Sequence, residues 1–596
     1  MKLPQLNEIP TQRDFIGEFK GYNHNLQIGE GEFYDMKNLT STYYPVLSPR
    51  RKRGTYITDV NPQGMISKDA LCYVDGEDFV INEYRVNMEL STDEDMCPKQ
   101  LISMGAYVII MPDKKWINTL NLSEYGDIEA TYDFLHPTTF SMCKIDGSAY
   151  TNILSEKPEN PSNMDMWLDT STDPHSLKQW SESSSMWIPV ATTYVKISSP
   201  NIGLAFEKYD GITIEGLKDR NLHDKDGYIL EDISLKQLAA LDGSAVVWDK
   251  GDDYIVVVGI LDYAVTVYDD GIKISRKMPN MDFIVESENR LFGCKYGEAD
   301  DGKIVNEIYA SKLGDFKNWN CFMGLSTDSY AASCGTDGMF TGAITHLGYP
   351  LFFKENCVHK MYGNYPANFQ IQTTACRGVQ QGCNDSLAIV NEVLYYKSRN
   401  GICAYDGSLP VEVSYQLGNE SYSDAVAAAH GNKYYISMKD NNGVYHFFVY
   451  DTARMLWHKE DNLAVKEFCS CQNELYYIAQ DSTDIKTMFG SGTEDDEVIK
   501  WMAESGVLGM YTHDRQYISK LNLRVSLDVG TKVRVYIQYD SCGEWELVSN
   551  LISTSIRSFS VPIRPRRCDH FKIKIEGEGD GKIYSISKTL EEGSDL

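Results

Sequence analysis

Residues 349–354 read YPLFFK, and relatives of that short strand recur along the second half of the chain. NRLFG begins at 289, EVLYYK at 392, NKYYIS at 432 and NELYYI at 473. Their third residues are Leu291, Leu351, Leu394, Tyr434 and Leu475, at separations of 60, 43, 40 and 41 residues. Further strands lie between them and end in turns: CVHKMYGN at 357, GICAYDGS at 401 and YHFFVYDTARMLWHKE at 445. Each unit therefore reads as strand, turn, strand, with a DG, GN or DT corner. A period of about 40 residues with several strands per unit is the signature of a propeller blade. Two similar units come earlier, ALCYVDGEDFVINEY at 70 and AYVIIMPDKKWINTL at 106. The pattern predicts an all-β chain built on a β-propeller of about seven blades.

The rhythm breaks over 124–275, where an insertion is expected. Its first half, EKPENPSNMDMWLDTSTDPHSLKQWSESSSMWIPV, sets Trp167, Trp180 and Trp187 among Pro, Ser, Asn and Asp. So few aliphatic residues make a poor core, so the tryptophans are expected to form one themselves. The second half alternates with period two, in YVKISSPNIGLAFEKYDGITIEGL and GSAVVWDKGDDYIVVVGIL, and reads as a small barrel. LEDISLKQLAALDGS is the one clear helix of this region. After about 490, SGTEDDE reads as a linker, and six alternating strands from KLNLRVSLDV to KIYSISKTL predict a C-terminal β-sandwich. The expected divisions are 1–123, leader and first blades; 124–275, insertion; 276–490, remaining blades; and 491–596, sandwich.

Composition narrows the function classes. The 596 residues are 42% hydrophobic, enough for several cores rather than a disordered chain. A net charge of −29 opposes general coating of nucleic acid, whose phosphates it repels. No run of about 18 apolar residues predicts a membrane span. MKLPQLNEIPTQRDF reads as no signal peptide. The fourteen cysteines lack the repeated close spacing of disulfide scaffolds and zinc ribbons, so free, mostly buried thiols and synthesis in a reducing cytoplasm are expected.

No nucleophile elbow, HExxH, Walker loop or dinucleotide fingerprint stands in its required setting. YDSCGEW at 539 is near the Asp box of sialidase-type propellers, but its glycine is one residue late, and it reads as a hairpin turn. Asp282, Glu286 and Glu288 alternate onto one strand face, where two carboxyls at a fixed distance would serve glycoside hydrolysis; the alternative is a polar face partnered by Arg290. TEDDE at 493 reads as a solvated run or a cation site. The three tryptophans either stack on sugar rings or pack together. No catalytic residue, cofactor or metal is expected.

Residues 38–54, NLTSTYYPVLSPRRKRG, place Arg50, Arg51, Lys52 and Arg53 in a row on an acidic chain. The prolines hold this leader extended. Four adjacent cations suit an interface with an acidic neighbouring subunit or with DNA; a solvated turn is the plainer reading.

Longer phrases carry a resemblance. FIGEFKGYNHNLQIGEGEFYDMKNLTSTYYPVLSPRRKRGTY at the start resembles the opening of β-propeller proteins of bacteriophage tails and necks. RKMPNMDFIVESENRLFGCKYG, NEIYASKLGDFKNW, TGAITHLGYPLFFKENCVHKMYGNYPANF and RGVQQGCNDSLAIVNEVLYYKSRNGICAYDGSLP look like blade phrases of the same group. PSNMDMWLDTSTDPHSLKQW resembles small Trp-rich modules of phage tail and carbohydrate-binding proteins, with Met164 where the usual glycine stands. The resemblance implies a virion protein of the tail, of nozzle, hub or gate type, that forms a ring, such as a hexamer, through which DNA leaves. Its implied partners are other tail and neck proteins, with transient contact to passing DNA. A tail adhesin that holds host cell-wall glycan is the first alternative, and a propeller glycosidase the second.

Overall fold

The computed structural model describes residues 11–592 except 97, 135–136, 219–220, 300–301, 497, 511–514 and 565. The chain is all-β in character, with many small sheets and, among the described residues, two short α-helices, Ile202–Ala205 and Asp232–Ala239. The second lies within the segment read as a helix from sequence.

Seven antiparallel sheets carry the repeat. Sheet I runs from Pro62–Lys68 to Tyr84–Asn87, sheet II from Gln100–Met104 to Tyr125–Asp127, and sheet III from Phe283–Ser287 to Tyr330–Ser333. Sheets IV, V and VI span Gly342–His346 to Gln370–Ala375, Ala388–Val390 to Val411–Glu412, and Tyr422–His430 to Leu456–Asp461. Sheet VII holds Val465–Cys471, Glu474–Ala479 and Ile485–Thr487, and takes its next strand, Gly54–Ile57, from the chain's beginning. The five residues that define the period lie on the second strands of sheets III to VII, in five separate sheets, and all are fully buried. That strand is covered on both faces by neighbouring sheets, which is why it reads as LFF or LYY rather than as an alternation. The hairpins before it are tight: Glu288–Asn289 and Asn391–Glu392 both have positive φ, as two-residue primed turns require.

Polar bridges join the sheets near their first strands. Lys68 donates to Ser103 Oγ at 2.7 Å, Gln100 Nε2 to the Ile284 carbonyl at 2.7 Å, and Ser287 Oγ to the Gly348 carbonyl at 2.9 Å. His346 Nε2 donates to the Glu392 carbonyl at 2.7 Å, Asn391 to Asn432 Oδ1 at 3.2 Å, and His430 shares a hydrogen bond with Ser470 at 3.3 Å. Finally, the Met65 amide of sheet I donates to Glu467 Oε1 of sheet VII at 2.6 Å.

The insertion begins and ends side by side, with Ala130–Asp133 paired to Lys273–Arg276. It holds one four-stranded and one five-stranded sheet around a separate apolar core that includes Phe140, Ile197, Ile214, Leu238 and Ile255. The expected barrel is therefore two distinct sheets, since no strand pairing joins them among the described residues. The Trp-rich module, a four-stranded sheet from Asn152–Leu154 to Met186–Pro189, is nested inside this body rather than preceding it. It leaves from Thr138–Cys143 and returns at Tyr194–Ser198, which are paired neighbours.

The six C-terminal strands form, and two sheets share their core. The leader, read from sequence as joined to the first blades, enters these sheets instead. Thr11–Ile16 pairs with Gly581–Glu592, and Glu32–Lys37 pairs with Lys500–Ser505. Lys588, buried, is ion-paired to Glu30 and Asp14. Only after these pairings does the leader cross to sheet VII. The cysteines described are all unbridged and most are buried, whereas Cys542 is exposed.

Candidate functional site

The leader's crossing point brings opposite charges together. Arg53 is 8% exposed; its guanidinium donates to Asp461 at 2.6 Å and to Glu460 at 2.9 Å, and lies 5.4 Å from the Phe447 ring centre. Burial alone would lower its pKa, but the carboxylates of Asp461 and Glu460 outweigh it and raise the value. Arg50 donates to Asp496 at 2.8 Å and to Asn38 Oδ1 at 2.8 Å. Asp496 also accepts the Arg53 amide; despite the upward pull of burial, these bonds hold its carboxyl below the usual range. Residues 50–53 lie between two short strands and belong to neither, so no strict alternation applies, and the remaining two cations lie outward. Lys52 pairs with Glu494 at 2.9 Å across exposed surface, and Arg51 sits 6.0 Å from the Phe489 ring centre.

Two sequence expectations are corrected here. Arg50 and Arg53 are not free interface cations: they are buried and ion-paired within the chain. TEDDE is exposed over 493–495, as a solvated run would be, but it is more than a linker: Thr493–Glu494 pairs with the strand Gly54–Ile57, Glu494 and Asp496 pair with Lys52 and Arg50, and Thr55 donates to Asp495 at 2.8 Å. Glu497 lies outside the described residues. Arg51 and Lys52 remain on the surface, where two adjoining clefts of about 600 and 320 Å³ meet at Arg50, Arg51 and Phe489. Lys433, on the second strand of sheet VI, and Arg454, in the turn between its last two strands, reach the smaller cleft. No local motif marks them, since they lie some 400 residues from Arg51 in sequence.

The tryptophans pack on each other. Trp167 is buried and donates from Nε1 to the Leu154 carbonyl at 2.9 Å. The Trp187 ring stands edge-on to Trp167 at 5.4 Å and to Trp180 at 5.6 Å. Lys178 covers the Trp167 face at 4.8 Å, and Lys157 lies 5.7 Å from the Trp180 ring centre. The cluster serves as the module's core, with Trp180 and Trp187 only partly covered.

Two of the three carboxylates of the hydrolase alternative are separately engaged. Asp282 pairs with Lys295 at 2.9 Å and accepts the Tyr296 amide at 2.8 Å. Glu286 accepts the Asn289 amide at 2.9 Å, while Glu288 occupies the turn itself with φ 50°. Arg290, their expected partner, points inward to the carbonyls of Ser311, Asp328 and Ser326. In YDSCGEW, Asp540 and Ser541 form the turn between Lys532–Tyr539 and Glu546–Leu551. Among the described residues no group of three or more His, Cys, Asp or Glu is placed to hold a metal ion, and no helix is long and apolar enough to cross a membrane.

One titratable group went unnoticed in the sequence. Glu467 Oε2 is buried without a hydrogen-bond partner. Burial, more than the nearby Asp385 carboxylate, pushes its pKa up to about 8. Residues 465–471, VKEFCSC, offer no sign that this glutamate lies at the junction of the first and last sheets.

No protein-family model matches the chain, and no curated protein matches it. Solved structures with some likeness include an exo-β-1,3-galactanase from Phanerochaete chrysosporium, at 8% identity and TM-score 0.20, covering 51% of this chain and 94% of that one. An engineered GH43 glycoside hydrolase covers 53% and 99%, at 7% identity and TM-score 0.19. A Trypanosoma rangeli sialidase covers 96% and 95%, at 8% identity and TM-score 0.20. Likenesses this slight carry no argument about fold or activity.

Proposed function

We propose that the chain is an architectural component of a bacteriophage tail, a ring-forming nozzle, hub or gate. In this reading the seven sheets close into a seven-bladed propeller, with Gly54–Ile57 completing the last blade and the Glu467–Met65 bond joining last blade to first. The observation that carries it is the course of the leader. The phrase with the strongest resemblance to tail proteins, residues 15–56, passes through the C-terminal sheets and then enters sheet VII, fastening the two bodies together. A component that carries load needs this kind of fastening, because separation of either body would require unpairing strands and exposing charges. The acidic balance suits a duct along which DNA slides without sticking. A role without catalysis is supported by the separate engagements of Asp282 and Glu286.

Electron microscopy of the purified protein, alone and with its neighbouring tail proteins, tests the proposal. Rings, and matching density in the tail of the particle, are the expected result. A monomer that releases reducing sugar from host cell wall, with activity lost in Asp282→Asn or Glu286→Gln, would replace it with the hydrolase reading. A monomer that binds cell wall without cleaving it would replace it with the adhesin reading.

A further inference from the structure

The smaller cleft beside the leader holds more positive charge than its own acids neutralise. Its acids, Asp451 and Glu460, are both engaged: Asp451 accepts from Ser41 Oγ at 2.6 Å, and Glu460 accepts from Arg53 at 2.9 Å. Arg50, on the shared wall, is held by Asp496. Three cations remain. Arg51 has no carboxylate within ion-pair distance among the described residues, and its guanidinium lies by Phe489. The Lys433 ammonium is half-buried and donates to Thr40 Oγ1 at 2.8 Å. Arg454 pairs with Asp451 at 3.5 Å and lies over Tyr44 at 5.1 Å, so these three cations face the single carboxylate of Asp451. Burial lowers the pKa of Lys433; the nearby acids counter this, while Arg454 and Arg51 reinforce it. Three cations thus share one small space on a chain of net charge −29.

Such an arrangement is costly when empty, because like charges repel and Lys433 gives up hydration. A bound anion would relieve both. The donors number more than a carboxylate's two oxygens need. Two guanidinium forks and an ammonium line the same cleft as the hydroxyl of Thr42 and the amide of Asn432, whose Oδ1 is already taken by Asn391. This set matches the several acceptor oxygens of a phosphate. A volume of about 320 Å³ admits a phosphate group with a small substituent but not a duplex.

We propose that Arg51, Lys433 and Arg454 form a binding site for a phosphate group, belonging either to a small phosphorylated compound or to a strand of DNA presented at the cleft mouth. The site stands independently of the tail assignment. It also gives Arg51 a role distinct from that of Arg50 and Arg53, which hold the fold.

The test is calorimetric titration of inorganic phosphate into the full chain in chloride buffer. One saturable site per chain is expected, weakened at least about tenfold by Arg51→Ala and by Lys433→Met, with Arg399→Ala as an unaffected surface control. Arg51 is exposed and has no partner carboxylate, so its truncation leaves the fold intact and the measurement readable. A short DNA duplex and a single strand are then added as competitors. Displacement of phosphate with steep salt dependence assigns the site to nucleic acid, and no displacement assigns it to a small compound; both outcomes support the site. No saturable binding, or binding unchanged in Arg51→Ala, overturns the proposal.

Discussion

The leader's charged crossing and the inserted body are each organised around buried ion pairs, yet these hold different things together. At the crossing, Arg50 and Arg53 hold strands from opposite ends of the chain against sheets VI and VII. At the insertion, Arg276 and Asp210 pair within the inserted body, and Asn318 of the long loop of sheet III donates to Asp210 Oδ1 at 2.9 Å and accepts the Gly211 amide at 2.7 Å, fixing that body to the loop. The first network is part of what makes the main body one unit; the second fastens an accessory to it. The same chemistry therefore has a global consequence where the chain's ends meet and a local one where a loop has been extended.

Breaking the first network should have the largest effect. Arg53→Ala leaves Glu460 buried without its main partner, and a loss of about 3–5 kcal/mol in the unfolding free energy of the whole main body is expected from denaturant titration. A loss below about 1 kcal/mol would show that the pair is dispensable. Asp210→Ala should cost about 3 kcal/mol, but in the docking of the insertion. Limited proteolysis should cut near residues 130 and 276 while the sheets carrying the repeat keep their melting temperature. A matching fall in both would erase the distinction between the two attachments.

Glu467 sharpens the comparison because it joins the first and last sheets without a counterion. Its folded pKa, about 8, lies above that of an ordinary carboxyl, so the folded state holds the proton more tightly. The stabilising contribution is full below the unfolded pKa and is lost as pH rises through about 8. Glu467→Gln keeps a carbonyl oxygen for the Met65 amide and removes this dependence. Between about pH 5 and about pH 9 the wild type should lose roughly 2 kcal/mol more than the variant, less than full linkage because the side chain is only half-buried. Parallel pH profiles would count against the assignment. The smallest effect is expected at the outward cations: Arg51→Ala with Lys52→Ala should change stability by about 0.5 kcal/mol or less.

The repeat was legible in sequence because one strand per unit is buried on both faces, leaving an unbroken aromatic and aliphatic signature at Leu351, Leu394 and Leu475. The crossing was not. Arg50 and Asp496 lie 446 residues apart, so each looks like a member of a like-charged run until the chain folds. Gly54–Ile57 is too short to show periodicity, and nothing local reveals that it extends sheet VII. The nested Trp module was misplaced for a related reason. Thr138–Cys143 finds its partner, Tyr194–Ser198, only beyond the module it encloses. The tryptophan core itself was readable, because a segment poor in aliphatic residues has little else to bury.

The central proposal is that Gly54–Ile57, paired with Ile485–Thr487 in sheet VII, thereby closes the array of sheets. Native-state hydrogen exchange at the amides of Gly54–Ile57 tests it most directly. These four residues should exchange only through global unfolding, as slowly as the inner strands of sheet VI, and Arg53→Ala should speed them and the strand Ile485–Thr487 together. Rapid exchange of Gly54–Ile57 in the wild type, with Ile485–Thr487 still protected, would mean that the leader merely lies against the sheet and that the array is not closed by it.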